Sequence, residues 1–345
     1  MKRTVPHFVC ALVLLFTTFK GISQDIHFSQ FFEAPLLRNP ALAGLFNGDL
    51  RFQMVYRSQW NSVTEPYETG TFNGEYKIPV GGESEDFISV GGQILYDQAG
   101  TAQLSATHIL PVFNYHKSLS AEKNKYLSLG FMAGIVQRSI NRSKVTTNSQ
   151  FDGSSYNPNL GDGETFDKSS FGYFDGSAGI SFNSQIGENA NNNYFIGIGY
   201  HHFNKASNVS FYSNNTTRLQ AKWVLSTGIK MSTNEYSYIT IHADHSKQGP
   251  YSETIGGFMY TRKLDDPTNP RLTISGGAML RLNDAFIPVA KIEVSPLAIS
   301  VSYDANISQL KSASQGRGGM EIGLSYQKFF EKNNTTKNAS RCPRF

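Results

Sequence analysis

What most constrains this chain is a two-residue apolar rhythm that recurs along most of its length. Ile88, Val90, Ile94 and Tyr96 fall on one face of a strand, with Ser89, Gly91 and Gln93 on the other. Leu127, Leu129, Phe131, Ala133 and Ile135 alternate with Ser128, Gly130, Met132 and Gly134, and the pattern returns around Ile239, Leu272 and Ile322. Period-two patterning specifies strands, because successive side chains point to opposite faces. The second face is polar or glycine throughout, so each strand lies between an apolar and a wet environment. Helix-period patterns are scarce, and no run reaches the roughly 20 apolar residues of a spanning helix.

About fourteen strands are expected, beginning near residues 49, 67, 86, 102, 125, 171, 193, 217, 236, 251, 271, 286, 296 and 316. Many run to about 10 residues, the length a tilted membrane strand needs, whereas strands of soluble proteins average about 5–6. Gly 31, Tyr 17 and Phe 25 are high and charged residues only 17%. Mean hydropathy is nonetheless negative, because lipid-facing and lumen-facing residues cancel in a barrel. The longest connections, 139–170, 205–216 and 305–315, all join an odd strand to an even one. In bacterial barrels with both termini in the periplasm, that class faces outward. Trp60, Tyr67, Tyr115, Phe171, Tyr173, Tyr194, Tyr212, Tyr251, Tyr260, Phe329 and Phe330 sit toward strand ends and suit interfacial girdles. The expected fold is all-β: a transmembrane antiparallel β-barrel with an N-terminal plug-like or periplasmic segment.

Residues 1–23 read as a secretory signal, with Lys2 and Arg3 ahead of the apolar stretch Phe8–Phe16 and small residues Gly21 and Ser23 near a cleavage point. Cleavage near Ser23/Gln24 removes Lys2, Arg3 and Lys20, leaving 28 Lys and Arg against 27 Asp and Glu. That near-neutral balance gives no footprint for nucleic acid. It also removes Cys10, so Cys342 is the only cysteine left and no internal disulfide is expected. Residues 24–48 form the plug or periplasmic segment, 49–330 the outer-membrane barrel and 331–345 a periplasmic tail. A fourteen-strand barrel has a backbone diameter of about 28 Å, wide enough to leak solutes unless something fills it. The apolar, aromatic stretch Asp25–Asn47, broken by Pro35 and Pro40, is the candidate filling.

Several pieces in order resemble the PorP/SprF family of the Bacteroidetes type IX secretion and gliding machinery. They are HFSQFFEAPLLRNPALAG (His27–Gly44), YRSQW (Tyr56–Trp60), FGYFDGSAGISF (Phe171–Phe182) and IGIGYHHFNKAS (Ile196–Ser207). SYDANISQLKSASQGRGGMEIGLSY (Ser302–Tyr326) and the terminal CPRF complete the set. The resemblance implies an outer-membrane barrel of roughly fourteen strands that assists secretion and surface anchoring of a partner, such as a large adhesin carrying a type IX C-terminal signal. Other type IX components and outer-membrane lipid are the remaining implied partners. No catalysis and no cofactor follow from it. Partner-contact candidates are the motif residues His27, Phe28, Gln30, Asn39, Pro40 and Cys342.

Other readings stay open. A passive or gated channel for small hydrophobic solutes fits the same strands. So does a structural role without substrate contact. A barrel hydrolase would use His242 and Asp244, which share a strand face, while His245 points away. The plainer reading is a polar lumen wall. His201 and His202 are adjacent and, on a regular strand, face opposite sides, so they cannot chelate together without a bulge. Asp152, Asp162, Glu164 and Asp167 offer hard oxygens but lack EF-hand spacing and read as a solvated loop, so no metal site is expected. Gly316-Arg-Gly-Gly319 reads as a bend into the last strand. Asn141 and Asn306 head Asn-x-Ser motifs without meaning in a bacterial outer-membrane protein. Phe345 is an aromatic terminus like those of assembled barrels, but about 15 residues beyond the last strand.

Overall fold

The computed structural model describes residues 25–60, 65–80, 85–120, 122–164, 166–213, 217–309 and 316–330. The expected signal and C-terminal tail, with Cys342 and Phe345, lie outside the described residues. Fourteen antiparallel strands close into one barrel: β1 (Leu50–Gln59), β2 (Tyr67–Pro79), β3 (Phe87–Ala99), β4 (Leu104–Ser120), β5 (Lys125–Ser139), β6 (Ser170–Gln185), β7 (Asn193–His201), β8 (Lys222–Asn234), β9 (Ser237–Gln248), β10 (Tyr251–Lys263), β11 (Leu272–Arg281), β12 (Ala285–Val294), β13 (Leu297–Asn306) and β14 (Arg317–Lys328). Each strand pairs with its neighbours in sequence. The seam is β1 against β14, in register from Leu50↔Lys328 to Gln59↔Gly319. Closure leaves no unpaired edge, which a bilayer would not tolerate.

Burial runs opposite to that of a soluble protein. On β13, Leu297, Ile299, Val301 and Tyr303 are exposed while Ala298, Ser300, Ser302 and Asp304 are buried. On β1, Phe52, Met54 and Tyr56 face out, and Arg51, Gln53 and Arg57 face in. Exposed apolar and buried polar residues together are the arrangement that lipid outside and a polar interior require. This excludes a sandwich, whose apolar faces meet each other. Strand lengths run from 9 residues in β7 to 17 in β4. Among the described residues, no helix is long and apolar enough to cross a membrane.

Strand starts agree with the alternation to within two residues, except β8, expected from 217 and starting at Lys222. Residues 217–221 instead pair back onto the preceding loop: Thr217 accepts from the Val209 amide and the Leu219 amide donates to Ala206. A local hairpin there competes with extension of the strand. The long connections 140–169, 202–221 and 307–316 share one end of the barrel, opposite the end at which β1 begins and β14 finishes. By the expectation that odd-to-even connections face outward, that end is the outer end. Its two longest loops are joined: the Tyr212 hydroxyl donates to Glu164 at 2.6 Å, the Ser213 amide to Asp167 at 2.5 Å, and the Asp167 amide to the Phe211 carbonyl.

Candidate functional site in the filled lumen

The segment preceding β1 lies inside the ring of strands. Its fold follows from its two prolines. Pro35 opens a four-residue helix, Pro35–Arg38, and Pro40 opens a 3-10 turn, Pro40–Leu42. Proline suits a first helical position because its missing N–H has no partner there to lose. Asn39, extended as a residue before proline must be, caps the second turn by accepting from the Ala41 amide at 2.8 Å. Gly44 at φ +83° and Gly48 at φ +138° then turn the chain into β1, conformations open to glycine alone at little cost.

Contacts along this segment lead overall from one end of the barrel to the other, with a step back between Glu33 and Arg38. Asp25 meets the outer ends of β7 to β9: its amide donates to Gln248 at 3.0 Å and its carboxylate pairs with Lys222 at 3.2 Å. His27 faces Glu253 at 3.6 Å, and its carbonyl accepts from Arg57 at 2.8 Å. Next comes a buried ionic layer. The Glu321 carboxylate accepts the Ser29 and Gln30 amides at 2.6 and 2.7 Å and pairs with Arg57 at 3.3 Å. Asp304 receives Arg57 at 3.0 Å, the Ser29 hydroxyl at 2.8 Å and the Arg281 guanidinium. The Gln30 side chain reaches Ser302 and the Glu321 carbonyl, both at 3.1 Å, and accepts from Ser300. Phe28 packs with Ala34 and Val55.

Deeper in, Glu33 bridges Lys291 at 2.5 Å and Gln53 at 3.1 Å. Arg38 makes a two-pronged pair with Asp244, Nε to Oδ2 at 2.7 Å and Nη2 to Oδ1 at 2.5 Å. Ala41 and Ala43 present carbonyls to Asn114 at 2.9 and 2.8 Å, and Ser181 donates to Ala41 at 2.9 Å. Finally the Gly44 amide donates to Glu75 at 2.7 Å, and Phe46 lies under Arg51 and Lys77.

The wall makes room for this filling with glycine. A Cβ on Gly199 would stand 2.5 Å from the Arg38 carbonyl oxygen. One on Gly130 would stand 2.5 Å from Pro40 O, and one on Gly197 2.7 Å from the Asn39 side-chain nitrogen Nδ2. Here β5, β6 and β7 touch the backbone of residues 38–41 directly, and Asn39 donates to the Ile180 carbonyl at 3.0 Å.

His27, Phe28, Gln30, Asn39 and Pro40 are therefore brought together in one chain-internal interface. The hydrolase constellation does not assemble. Asp244 is taken by Arg38, His242 stacks on Phe32 with centroids 5.6 Å apart, and His245, outward, bonds Thr254 at 2.8 Å. His201 bonds Ser177 at 3.0 Å from the inner face. His202 departs from strand parity: at φ +57° it turns inward as well and pairs with Asp175 at 2.8 Å and Asp25 at 3.4 Å. Burial pushes this imidazole down, but the hydrogen bonds its ring donates to Asp175 and Asp25 outweigh that and hold its pKa at about 9. Burial likewise raises the Asp25 carboxyl, and Lys222 with His202 overrides it, leaving Asp25 well below the usual carboxylate range.

Asp162 pairs with Arg142 at 2.6 Å, while Asp152 accepts from the Ser154 and Ser155 amides in a tight turn. Among the described residues no cluster of three His, Cys, Asp or Glu side chains is placed to hold a metal ion. Gly316, at φ +74°, is the bend into β14. A cavity of about 40 Å³, room for a few waters, remains between the segment and β8 to β10, lined by Ile26, Phe28, Phe31, Leu37, Val224 and Ile255. Sequence reasoning missed Arg38, Arg57, Glu75, Arg281, Asp304 and Glu321. For Arg57, Glu75, Arg281, Asp304 and Glu321 the signal was a charge on the polar face of a strand; Arg38, in the lumen segment, had no such signal.

The family profile described as "Type IX secretion system membrane protein PorP/SprF" matches residues 21–339. The chain belongs to the PorP/SprF family. Type IX secretion involvement follows from that membership. Family and barrel fold together support an outer-membrane setting. Several solved barrels are similar in shape to this PorP/SprF chain at low identity. The toluene transporter TbuX of Ralstonia pickettii is 10% identical, with 87% of this chain and 94% of that chain covered and a TM-score of 0.49. The toluene transporter TodX of P. putida is 10% identical over 87% and 95%, with a TM-score of 0.48. The translocator domain of the autotransporter NalP from Neisseria meningitidis is 11% identical over 87% and 96%, with a TM-score of 0.45. No curated protein sequence matches the chain.

Proposed function

We propose that this protein is an outer-membrane accessory barrel of type IX secretion that assists secretion and surface anchoring of a partner protein such as a large adhesin. The observation that carries the reading, beyond family membership, is the filled lumen. A segment tied to the wall by Arg38–Asp244, Glu33–Lys291 and the Arg57–Asp304–Glu321 layer, its ion-pairing side chains almost wholly buried, occupies the lumen that a cargo would need. The partner is then engaged at the outer mouth, where the joined loops 140–169 and 202–221 form a preset surface, and the role is binding rather than catalysis. Residues 25–48 act as the plug, His27, Phe28, Gln30, Asn39 and Pro40 holding it in place rather than touching the partner. The test is deletion of this protein followed by proteomics of the cell surface. Loss of one or a few large surface proteins to the medium is expected; unchanged presentation of every surface protein overturns the reading.

A channel for small hydrophobic solutes is the second reading, favoured by Ile26, Phe28, Phe31, Leu37, Val224 and Ile255, which share the cavity beside β8 to β10 with His27, Arg38, Lys222, Asp244 and Glu253. That cavity is far below the about 300–1,000 Å³ of typical ligand pockets, so solute passage would need the segment to move. Uptake of a radiolabelled aromatic hydrocarbon by cells with and without the protein separates the two.

A further inference from the structure

The order of contacts along residues 25–49 has a topological meaning. Asp25 lies with Lys222, His202 and Gln248 at the ends of β7 to β9 that carry the long loops. Ser29 and Gln30 sit one layer in, Arg38 and Asn39 near mid-barrel, and Phe46 at Lys77 near the far end of β2. Asp49 donates to the Lys328 carbonyl, where β1 starts and β14 stops. The segment thus makes one net crossing of the lumen, opposite in sense to β1, with one step back toward the loop end between Glu33, which reaches Lys291 and Gln53, and Arg38, whose carbonyl meets His201 at 3.2 Å.

We infer that the chain is threaded through its own barrel, so that the end left by signal removal is displayed at the extracellular mouth. This rests on the outer-membrane orientation of the proposed function, with the long loops outside, and on the expected cleavage near Ser23/Gln24. A barrel terminus that precedes the first strand would ordinarily stay in the periplasm with that strand. Here it is held outside by a clasp: the Asp25 carboxylate between Lys222 and His202, its amide on Gln248, and His202 backed by Asp175. The glycine seat at Gly130, Gly197 and Gly199 and the buried Arg38–Asp244 pair leave the bound segment no slack to slide outward later. An extracellular partner would then meet a peptide end of this protein, not only its loops.

Cysteine labelling tests it in intact cells, with Cys342→Ser removing the other mature thiol. A Gly-Ser-Gly-Cys-Gly-Ser insertion between Gln24 and Asp25 is compared with Ser154→Cys, on the exposed loop 140–169, and Glu235→Cys, in the short turn at the opposite end. The expected result is that a membrane-impermeant maleimide labels the insertion as fully as Ser154→Cys, while Glu235→Cys labels only after lysis. Labelling of the insertion only after lysis, with Ser154→Cys labelled beforehand, overturns the threading. If Ser154→Cys is protected and Glu235→Cys is open, the proposal falls with the orientation instead. Each variant is first checked for a compact band in unheated detergent gels. A variant that does not close is replaced by the pair Asp25→Cys with Gln248→Cys, whose cross-link is expected on non-reducing gels and whose absence under oxidation also overturns the threading.

Discussion

Arg38 is fixed at two points, and the two make separable predictions. Its guanidinium fits Asp244, both side chains almost wholly buried, and its carbonyl rests on Gly199. Removing one member of a buried pair strands the other charge, at a cost of about 3–5 kcal/mol. Asp244→Ala should lower barrel stability by that order in urea titrations followed by gel mobility, and Asp244→Asn by less. The His242 ring, stacked on Phe32, should give no such loss when changed to Phe. Gly199→Ala acts on backbone, which cannot swing aside, and should cost about 1–3 kcal/mol as overpacking does. The control is Gly276→Ala on the outward face, where no atom lies within 4 Å, and it should be neutral. His202 adds a pH dependence. Its pKa is raised from 6.5 to about 9 in the folded protein, so its stabilisation is complete below 6.5 and is lost as pH rises through about 9. The groups facing it are Asp25 on the segment, Asp175 on β6, His201 on β7, Lys222 on β8 and, through space, His108 on β4. Protease cleavage near Asp25 should increase across that window in the native protein. His202→Gln should flatten the profile.

At the scale of elements, strands and lumen segment differ in how they are written. Each strand carries its own rule, because lipid outside and polar contacts inside impose alternation residue by residue. Ile88–Tyr96 and Leu127–Ile135 therefore located β3 and β5 without reference to anything distant. β8 was misplaced where loop pairing, Thr217 to Val209, competed with the strand. The segment's content was legible from its apolar residues and from Pro35 and Pro40, but its partners were not. Arg38 and Asp244 are 206 residues apart, and Ser29 and Glu321 are 292 apart, so neither pair leaves a local trace. Parity put His242 and Asp244 on one face and suggested a catalytic pair, yet only the fold reveals that the carboxylate is occupied by Arg38. His202 defeated parity for another reason: a single left-handed residue ends β7 and turns it inward. The segment as an element carries its own prediction. Deleting residues 25–46 should raise conductance in planar bilayers well above that of the intact barrel. It should also lower stability, since Asp244, Glu321, Lys291 and Glu75 would face the lumen without their segment partners. An unchanged small conductance overturns the plug.

For the whole molecule, the seam between β1 and β14 and the filled interior are linked, because β1 continues directly from the segment through Gly48 and Asp49. Closing the seam brings Asp49 to Lys328 and sets the segment's inner end in the same step. The finished barrel is thus a receptor and its ligand joined by a leash of a few residues. Short flexible linkers give effective concentrations in the millimolar range, so a segment of modest intrinsic affinity stays bound almost all the time. The leash is also what makes the fit open to measurement. A synthetic peptide of residues 25–48 added to the deletion variant has the same contacts but not the tether. It should close the pore only as its own concentration rises. The midpoint of that titration would give the affinity the wall has for its missing half, a quantity the intact chain never exposes.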